Sequence, residues 1–191
     1  MILRVEEKIK ERAHEYLSKA RPGDWDHTLR VVALGRRLAR MEKGDGGFII
    51  PALYLHDVGW SRTRVEEFAD TPFYEQEASQ SALLHQKAGY ELARSILEEL
   101  RFDVEMIDRI CDYIRIHDQP DKILALEDRD AILCFEADRL DRFGRHGRKR
   151  LDEIFGDFHS AEREAFLREG AAQWFRTPSA LEILEYLLSE S

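Results

Sequence analysis

The sequence predicts an all-α fold, a helical bundle with additional C-terminal helices. Three observations support this. Apolar residues recur in steps of three and four along most of the chain, no strand-like alternation or repeat appears, and the breaks fall at glycine, proline and capping aspartates. At 191 residues the chain suits one domain, or one domain with an appendage, and can bury a real core.

Ile2, Val5, Ile9, Ala13, Tyr16 and Leu17 recur at helical spacing with charges between them, an amphipathic first helix stopped by Arg21-Pro22-Gly23. His14 belongs on its surface or boundary. Asp24 and Asp26 can cap the next helix, whose inward positions run His27, Val31, Leu34, Leu38 and Met41 before the glycine-rich turn 44–47. A third helix from Phe48 carries Ile49, Leu53 and His56, with Pro51 tolerated in its first turn. Gly59 lets the backbone turn sharply. Residues 60–81, with Pro72 and weak periodicity, read as a long loop with short helical pieces. Loops of that length are commonly functional, and Trp60, Arg62, Arg64, Phe73 and Tyr74 either grip an aromatic or phosphorylated ligand or anchor the loop to the core.

His85, Ala88, Gly89, Leu92, Ile96 and Leu100 share one face of a fourth helix. Asp103 caps a fifth, with Ile107, Ile110, Ile114 and His117 inward. After Pro120 and a short charged connection, Ala131, Cys134, Phe135 and Asp138 form another inward stripe. Asp138 is an acid where an apolar residue is expected, and Arg139 or Arg142 could pair with it. The basic run 145–150 reads as a solvated face or phosphate-facing rim, while His146 and His159 match no stripe. Two last helices, one near 160–175 and one after Thr177-Pro178 carrying Leu181, Leu184, Tyr186 and Leu187, either complete the core or form a homodimer contact.

The balance of 29 basic against 38 acidic residues, a net charge of −9, argues against a surface for nucleic acid and leaves room for a local basic pocket that takes small anions. Cys111 and Cys134 form no CxxC pair, so buried reduced thiols are expected rather than a zinc ribbon or redox motif. Residues 1–17 alternate charged and apolar residues, which fits neither a signal peptide nor a membrane span; a cytoplasmic location with no membrane partner is expected.

The chemistry centres on Ala52-Leu53-Tyr54-Leu55-His56-Asp57-Val58-Gly59, an apolar run ending in an adjacent imidazole and carboxylate. Both are costly to bury unless paired or bound to metal. His27, His85, His117 and Asp138 each stand in a separate helix on an otherwise apolar stripe, at or near its end. Each has a bland explanation alone, such as a core histidine bonded to a carbonyl. Five helices all placing a metal-competent group inward point instead to convergence. Imidazole nitrogen and carboxylate oxygen suit divalent metals, and six such groups exceed what one tetrahedral centre uses, so two metals sharing a carboxylate are expected.

Asp26-His27-Thr28-Leu29-Arg30-Val31, Leu55-His56-Asp57-Val58-Gly59, Leu84-His85-Gln86, Ile116-His117-Asp118 and Ala137-Asp138-Arg139-Leu140-Asp141 together make the chain resemble the HD-domain superfamily of metal-dependent phosphohydrolases. The resemblance covers about residues 24–143 and leaves 144–191 as a C-terminal helical extension of a single domain spanning 1–191. It implies one metal on His27, His56, Asp57 and Asp138 and a second on His85 and His117, with Asp57 bridging at the catalytic position. The two intervening histidines mark the dinuclear branch, similar to hydrolases of symmetrical dinucleoside polyphosphates and to cyclic-nucleotide phosphodiesterases. Many relatives carry a lysine shortly after the doublet's glycine. Here Trp60 follows Gly59 and the nearest basic residue is Arg62. The Gly-Tyr-Pro signature of the cyclic-di-GMP-degrading branch is absent.

The expected function is hydrolysis of a nucleotide or other small phosphate ester by a metal-activated hydroxide. The cofactor would be two divalent ions, iron, manganese or another transition metal. Arg30, Arg62, Lys87, Arg139 and Arg142 are the candidates for phosphate contacts or support of the ligands. The same scaffold also resembles diiron oxygenases with six equivalent ligands, and degenerate relatives bind nucleotides without turnover. The commoner chemistry of the family and the flanking basic residues favour phosphohydrolysis, and the intact ligand set disfavours a pure binding module.

Overall fold

The computed structural model describes residues 2–63, 80–155 and 160–189. Among them are ten α-helices, one 3-10 turn and no strand. The helices are α1 (Ile2–Leu17), α2 (Asp24–Glu42), α3 (Gly46–Leu55), α4 (Gln80–Glu99), α5 (Val104–Ile116), α6 (Pro120–Leu124), α7 (Arg129–Asp141), α8 (Arg145–Phe155), α9 (Ser160–Gln173) and α10 (Pro178–Ser189), and the 3-10 turn spans Val58–Arg62. No described helix is long and apolar enough to cross a membrane.

The apolar patterning dictates which helix is central. Every residue of α3 from Phe48 to Leu55 is buried, as a helix that is apolar all round must be. α1, α2, α5 and α7 pack around it, with Ile9, Ala13 and Leu17, Val31 and Leu38, Ile107, Ile110 and Ile114, and Leu133 and Ala137 filling the space between. α4 packs on α5 and on the 3-10 turn through His85, Gly89, Leu92 and Ile96. Cys111 and Cys134 are free and buried.

Several local expectations are corrected. The N-cap of α2 is Gly23, left-handed at φ 78°, and no side chain caps the helix. Asp24 is buried inside the first turn, where arginines claim its carboxylate, and Asp26 is exposed. Met41 is 41% exposed, so the inward stripe of α2 ends at Leu38. α3 starts at Gly46 under an Asp45 cap that accepts from the Gly47 amide at 2.8 Å. Pro51 therefore stands in the second turn, where it leaves the Gly47 carbonyl without its usual partner. Pro120 opens the short helix α6, and the basic run becomes α8, with Lys149 exposed and Arg150 buried.

Trp60 and Arg62 belong to the 3-10 turn rather than a loop. Arg64, Pro72, Phe73, Tyr74 and His159 lie outside the described residues. His14 is exposed, as expected of a surface or boundary residue, and so is His146, which matches no stripe.

At the C-terminus, buried Glu136 of α7 accepts from the amides of Arg176 (2.6 Å) and Thr177 (2.8 Å) and from the Thr177 hydroxyl (2.6 Å). Glu42 accepts from the Ser179 amide and hydroxyl at 3.2 and 2.6 Å. These two acids satisfy the open amides at the start of α10 and hold it on α2 and α7. Packing on the core is thus the role α10 performs within the chain.

Candidate metal centre

His27, His56 and His117 sit at helix ends, Asp138 in the last turn of α7 and His85 in the second turn of α4. His56 directly follows α3 and His117 directly follows α5, both in helical conformation, and both repeat one device. The Nδ1–H of His56 donates to the Leu53 carbonyl and that of His117 to the Ile114 carbonyl, each at 2.7 Å. A helix end leaves such carbonyls open. Capturing one fixes the tautomer and leaves Nε2 as the nitrogen available to a metal. His56 Nε2 is buried and has no hydrogen-bond partner among the described residues. An orphaned lone pair there is costly unless a cation takes it.

His27, in the first turn of α2, is oriented from outside the centre. Its Nδ1–H donates to Asp141 Oδ2 at 2.7 Å, and Arg30 holds Asp141 by a fork, Nε to Oδ1 at 2.7 Å and Nη2 to Oδ2 at 3.0 Å. The remaining nitrogen, Nε2, lies 3.1 Å from Asp138 Oδ1 and 3.8 Å from Asp57 Oδ2. His56 Nε2 is 3.6 Å from Asp57 Oδ2 and 3.7 Å from Asp138 Oδ1. On the other side, His117 Nε2 stands 3.4 Å from Asp57 Oδ1 and 3.5 Å from His85 Nε2. Two groups of donors result, His27 with His56 and Asp57, and Asp57 with His85 and His117, and both could hold a metal ion. Asp57 belongs to both.

The electrostatics fit cation binding. Burial would raise the Asp57 carboxyl, but His56, the His117 contact and Arg21 outweigh it and hold Asp57 well below the usual carboxylate range. Burial is likewise overcome at Asp138, kept well below that range by His27 and His56. Asp141 is brought to about 2, the His27 bond and the Arg30 fork outweighing its burial. The donor carboxylates are therefore ionised. Burial opposes protonation of His117 too, yet Asp118 and Asp57 raise it well above the ordinary imidazole value. His85 is lowered, because burial there wins over Asp118. A proton or a metal ion on His117 Nε2 satisfies the same oxygens, which couples metal binding to proton release.

The cations the sequence singles out are held as follows. Arg30 is engaged by Asp141. Arg139 is fully buried and donates to the Asp118 carbonyl at 3.3 Å and to its Oδ1 at 3.4 Å. Arg142 lies 3.6 Å from Asp118 Oδ1 and 3.7 Å from Asp138 Oδ2. Arg62 meets Glu91 at 3.5 Å on the exposed surface. Lys87 is exposed, about 200° round α4 from His85.

The cations beside Asp57 come from unexpected places. Arg21, from the turn before α2, puts Nη2 at 3.1 Å from Asp57 Oδ2 and Nε at 3.2 Å from Asp24 Oδ2. Arg150, from α8, pairs with Asp24 Oδ1 and lies 3.8 Å from Asp57 Oδ2. Trp60 braces the centre: its Nε1–H donates to Asp57 Oδ1 at 3.1 Å, its ring stacks on His85 at 3.9 Å, and the Arg21 guanidinium lies 3.8 Å over it. Arg21-Pro22-Gly23 carries only a turn signal in sequence. An arginine four residues after Leu17, next to a buried-acid position, offers no further cue.

Fold and site together define an all-helical protein with a buried histidine and aspartate centre able to hold divalent metal. The HD domain family model matches residues 24–142, and the chain belongs to the HD-domain family. The expected HD-type helical bundle is the fold observed. The chain is similar to a crystal structure of a predicted HD superfamily hydrolase from an uncultured Thermotogales bacterium, with 21% identity over 98% of this chain and 84% of that chain and a TM-score of 0.60. That likeness concerns the fold. A search of curated proteins returned no match.

The Asp141 and His27 pair yields a direct expectation. Asp141→Asn removes the charge that orients and polarises His27 while keeping the side chain's shape. Metal affinity is expected to fall about 10- to 100-fold, the range for such outer carboxylates, with little change in helicity. Competition with a chromophoric chelator measures it, and wild-type affinity in the variant would remove Asp141 from the centre.

Proposed function

We propose that this protein is a metal-dependent phosphohydrolase acting on a nucleotide or another small phosphate ester. The observation that carries the reading is the membership of Asp57 in both donor groups, as a carboxylate shared by two ions requires. In this reading His27, His56, Asp57 and Asp138 hold one ion, and Asp57, His85 and His117 hold the second. Manganese and iron both suit these donors. When bound, such ions lower the pKa of a water toward neutrality and offset charge on phosphoryl oxygens.

The chain's own residues do the rest. Arg21 and Arg142 each touch a donor carboxylate, and their side chains are 11% and 16% exposed, so both can meet a phosphoryl group with a planar fork. Arg21 thereby supplies positive charge on the side where Trp60 replaces the lysine of many relatives. Trp60, stacked on His85, keeps water from that side of the donors. Arg30 acts through Asp141 on His27. Arg62 and Lys87 are left to distant parts of a substrate. Residues 1–191 are read as one working domain, because Arg21 from before the matched segment and Arg150 from after it both approach Asp57.

The test is hydrolysis by anaerobically purified, manganese- or iron-loaded protein of a panel of nucleotides, dinucleoside polyphosphates and phosphomonoesters. Turnover is expected in the wild type, with a loss of about 100-fold or more in His85→Ala, the scale for removing one group that stabilises developing charge. Two bound metals without turnover of any phosphate ester would sink the reading. Oxygen uptake by the ferrous protein would replace it.

A further inference from the structure

Asp118 follows His117 directly and was not among the six expected ligands. Its Oδ2 lies 3.2 Å from His85 Nε2 and 3.3 Å from His117 Nε2, and those two nitrogens are 3.5 Å apart. Three donor atoms thus form a nearly equilateral triangle. Ligand atoms about 2.0–2.2 Å from one tetrahedral ion stand roughly 3.3–3.6 Å from each other, and octahedral neighbours about 3.0 Å. The triangle has the size of one face of a coordination polyhedron. Asp57 Oδ1, 3.4 Å from His117 Nε2, adds a fourth donor at the same spacing.

The rest of Asp118 is built to aim that oxygen. Oδ1 faces Arg139 at 3.4 Å and Arg142 at 3.6 Å, and the Asp118 carbonyl also accepts from Arg139. The Arg139 side chain is fully buried, and its guanidinium lies 5.0 Å over the ring of Trp174. One carboxylate oxygen is thus tied to Arg139 of α7 and Arg142 just after it, and the other is turned toward the two imidazoles. His117 Nδ1 is committed to Ile114, so the only nitrogen it can offer is the one Asp118 faces.

We propose that Asp118 is a seventh protein ligand, completing the second ion's site as His85, His117, Asp57 and Asp118. The two halves of the centre then become alike: each has two histidines, a private aspartate and a share of Asp57. Asp138 is the private carboxylate of one half and Asp118 that of the other, and both approach Arg142. Two divalent charges are set against three carboxylates, where the six-ligand set has two. This rests on the two-metal reading above.

The test is manganese content and affinity of the full chain after desalting, by elemental analysis and isothermal titration, in wild type and Asp118→Asn. Asparagine keeps the size of the side chain and can still accept from the arginines. The wild type is expected to hold two equivalents and the variant one, with the first affinity unchanged. Two equivalents in the variant, bound within threefold of wild type, overturn the assignment and leave Asp118 as an anchor for Arg139 and Arg142. Fewer than two in the wild type overturn the two-metal reading itself, and this assignment with it. If the variant fails to fold, anomalous diffraction from manganese-soaked wild-type crystals decides. An Asp118 oxygen within about 2.6 Å of an ion supports the ligand role, and one beyond about 3 Å of both overturns it.

Discussion

Asp57→Ala is expected to strip both metals and reduce turnover by more than about 10³-fold, beyond the 10- to 100-fold typical of an outer-shell partner. The size follows from geometry. Asp57 is the residue common to both donor groups, with Oδ2 toward His27 and His56 and Oδ1 toward His117. Truncation removes a donor from each half at once, whereas His85→Ala touches only one. The same carboxylate faces Arg21 at 3.1 Å and Arg150 at 3.8 Å and accepts from Trp60, all in a buried setting. Removing one partner of a buried ion pair costs about 3–5 kcal/mol, and Asp24, which still holds both arginines, limits the loss to the lower end. Helicity near room temperature should survive. Metal analysis beside far-UV circular dichroism checks both parts, and a folded variant that keeps two metals would remove Asp57 from the bridging position.

The candidate donor histidines are legible in the sequence because each breaks an apolar helical stripe, and helical periodicity reports which side of a helix faces inward; Asp57 is legible as the carboxylate next to His56. His27 opens the stripe of α2, and His56 and His117 end those of α3 and α5. Stripe ends are where neighbouring helices bring side chains together. The supporting residues have no such signature. Arg21 stands in a turn, and its partner Asp57 is 36 residues away. Arg150 is one of several cations in a basic run, and only the packing of α8 decides that it goes inward while Lys149 stays in water. Asp118 stands in Ile116-His117-Asp118 and Asp141 closes Ala137-Asp138-Arg139-Leu140-Asp141. Asp141 lies one turn past Asp138 on α7, a spacing that puts both on one face, and that cue could have found it. Asp118 follows the last residue of its stripe, where no helical period applies.

Gly59 shows a residue legible in sequence whose reason was not. It was expected for a sharp turn, yet its backbone is not left-handed; Gly23 is the one described glycine that is. A Cβ on Gly59 would stand 1.9 Å from the His85 carbonyl oxygen, 2.6 Å from the Gly89 amide and 2.9 Å from the His85 carbonyl carbon. All three are backbone atoms of α4, which cannot rotate away. The glycine is there so that the 3-10 turn carrying Trp60 can lie directly on the helix carrying His85. Gly59→Ala must therefore part the turn from α4 by more than an ångström to restore ordinary contact. Overpacking of this kind costs about 1–3 kcal/mol, and backbone rather than side-chain overlap places it at the upper end. For a chain of this size that is a fall of about 6–12 °C in Tm. The parting also carries His85 away from His117 and Asp57, so the second metal equivalent should be lost while the first is kept. Gly89→Ala is the comparison. Its added carbon meets only the Ile114 side chain at 3.2 Å, with backbone atoms no nearer than 3.7 Å, and the loss should stay within about 1 kcal/mol with both metals retained. Thermal unfolding and manganese content of the two alanine variants, measured side by side, separate close backbone packing from a general intolerance of the seam. Equal losses in both would mean that the 3-10 turn does not set the position of His85.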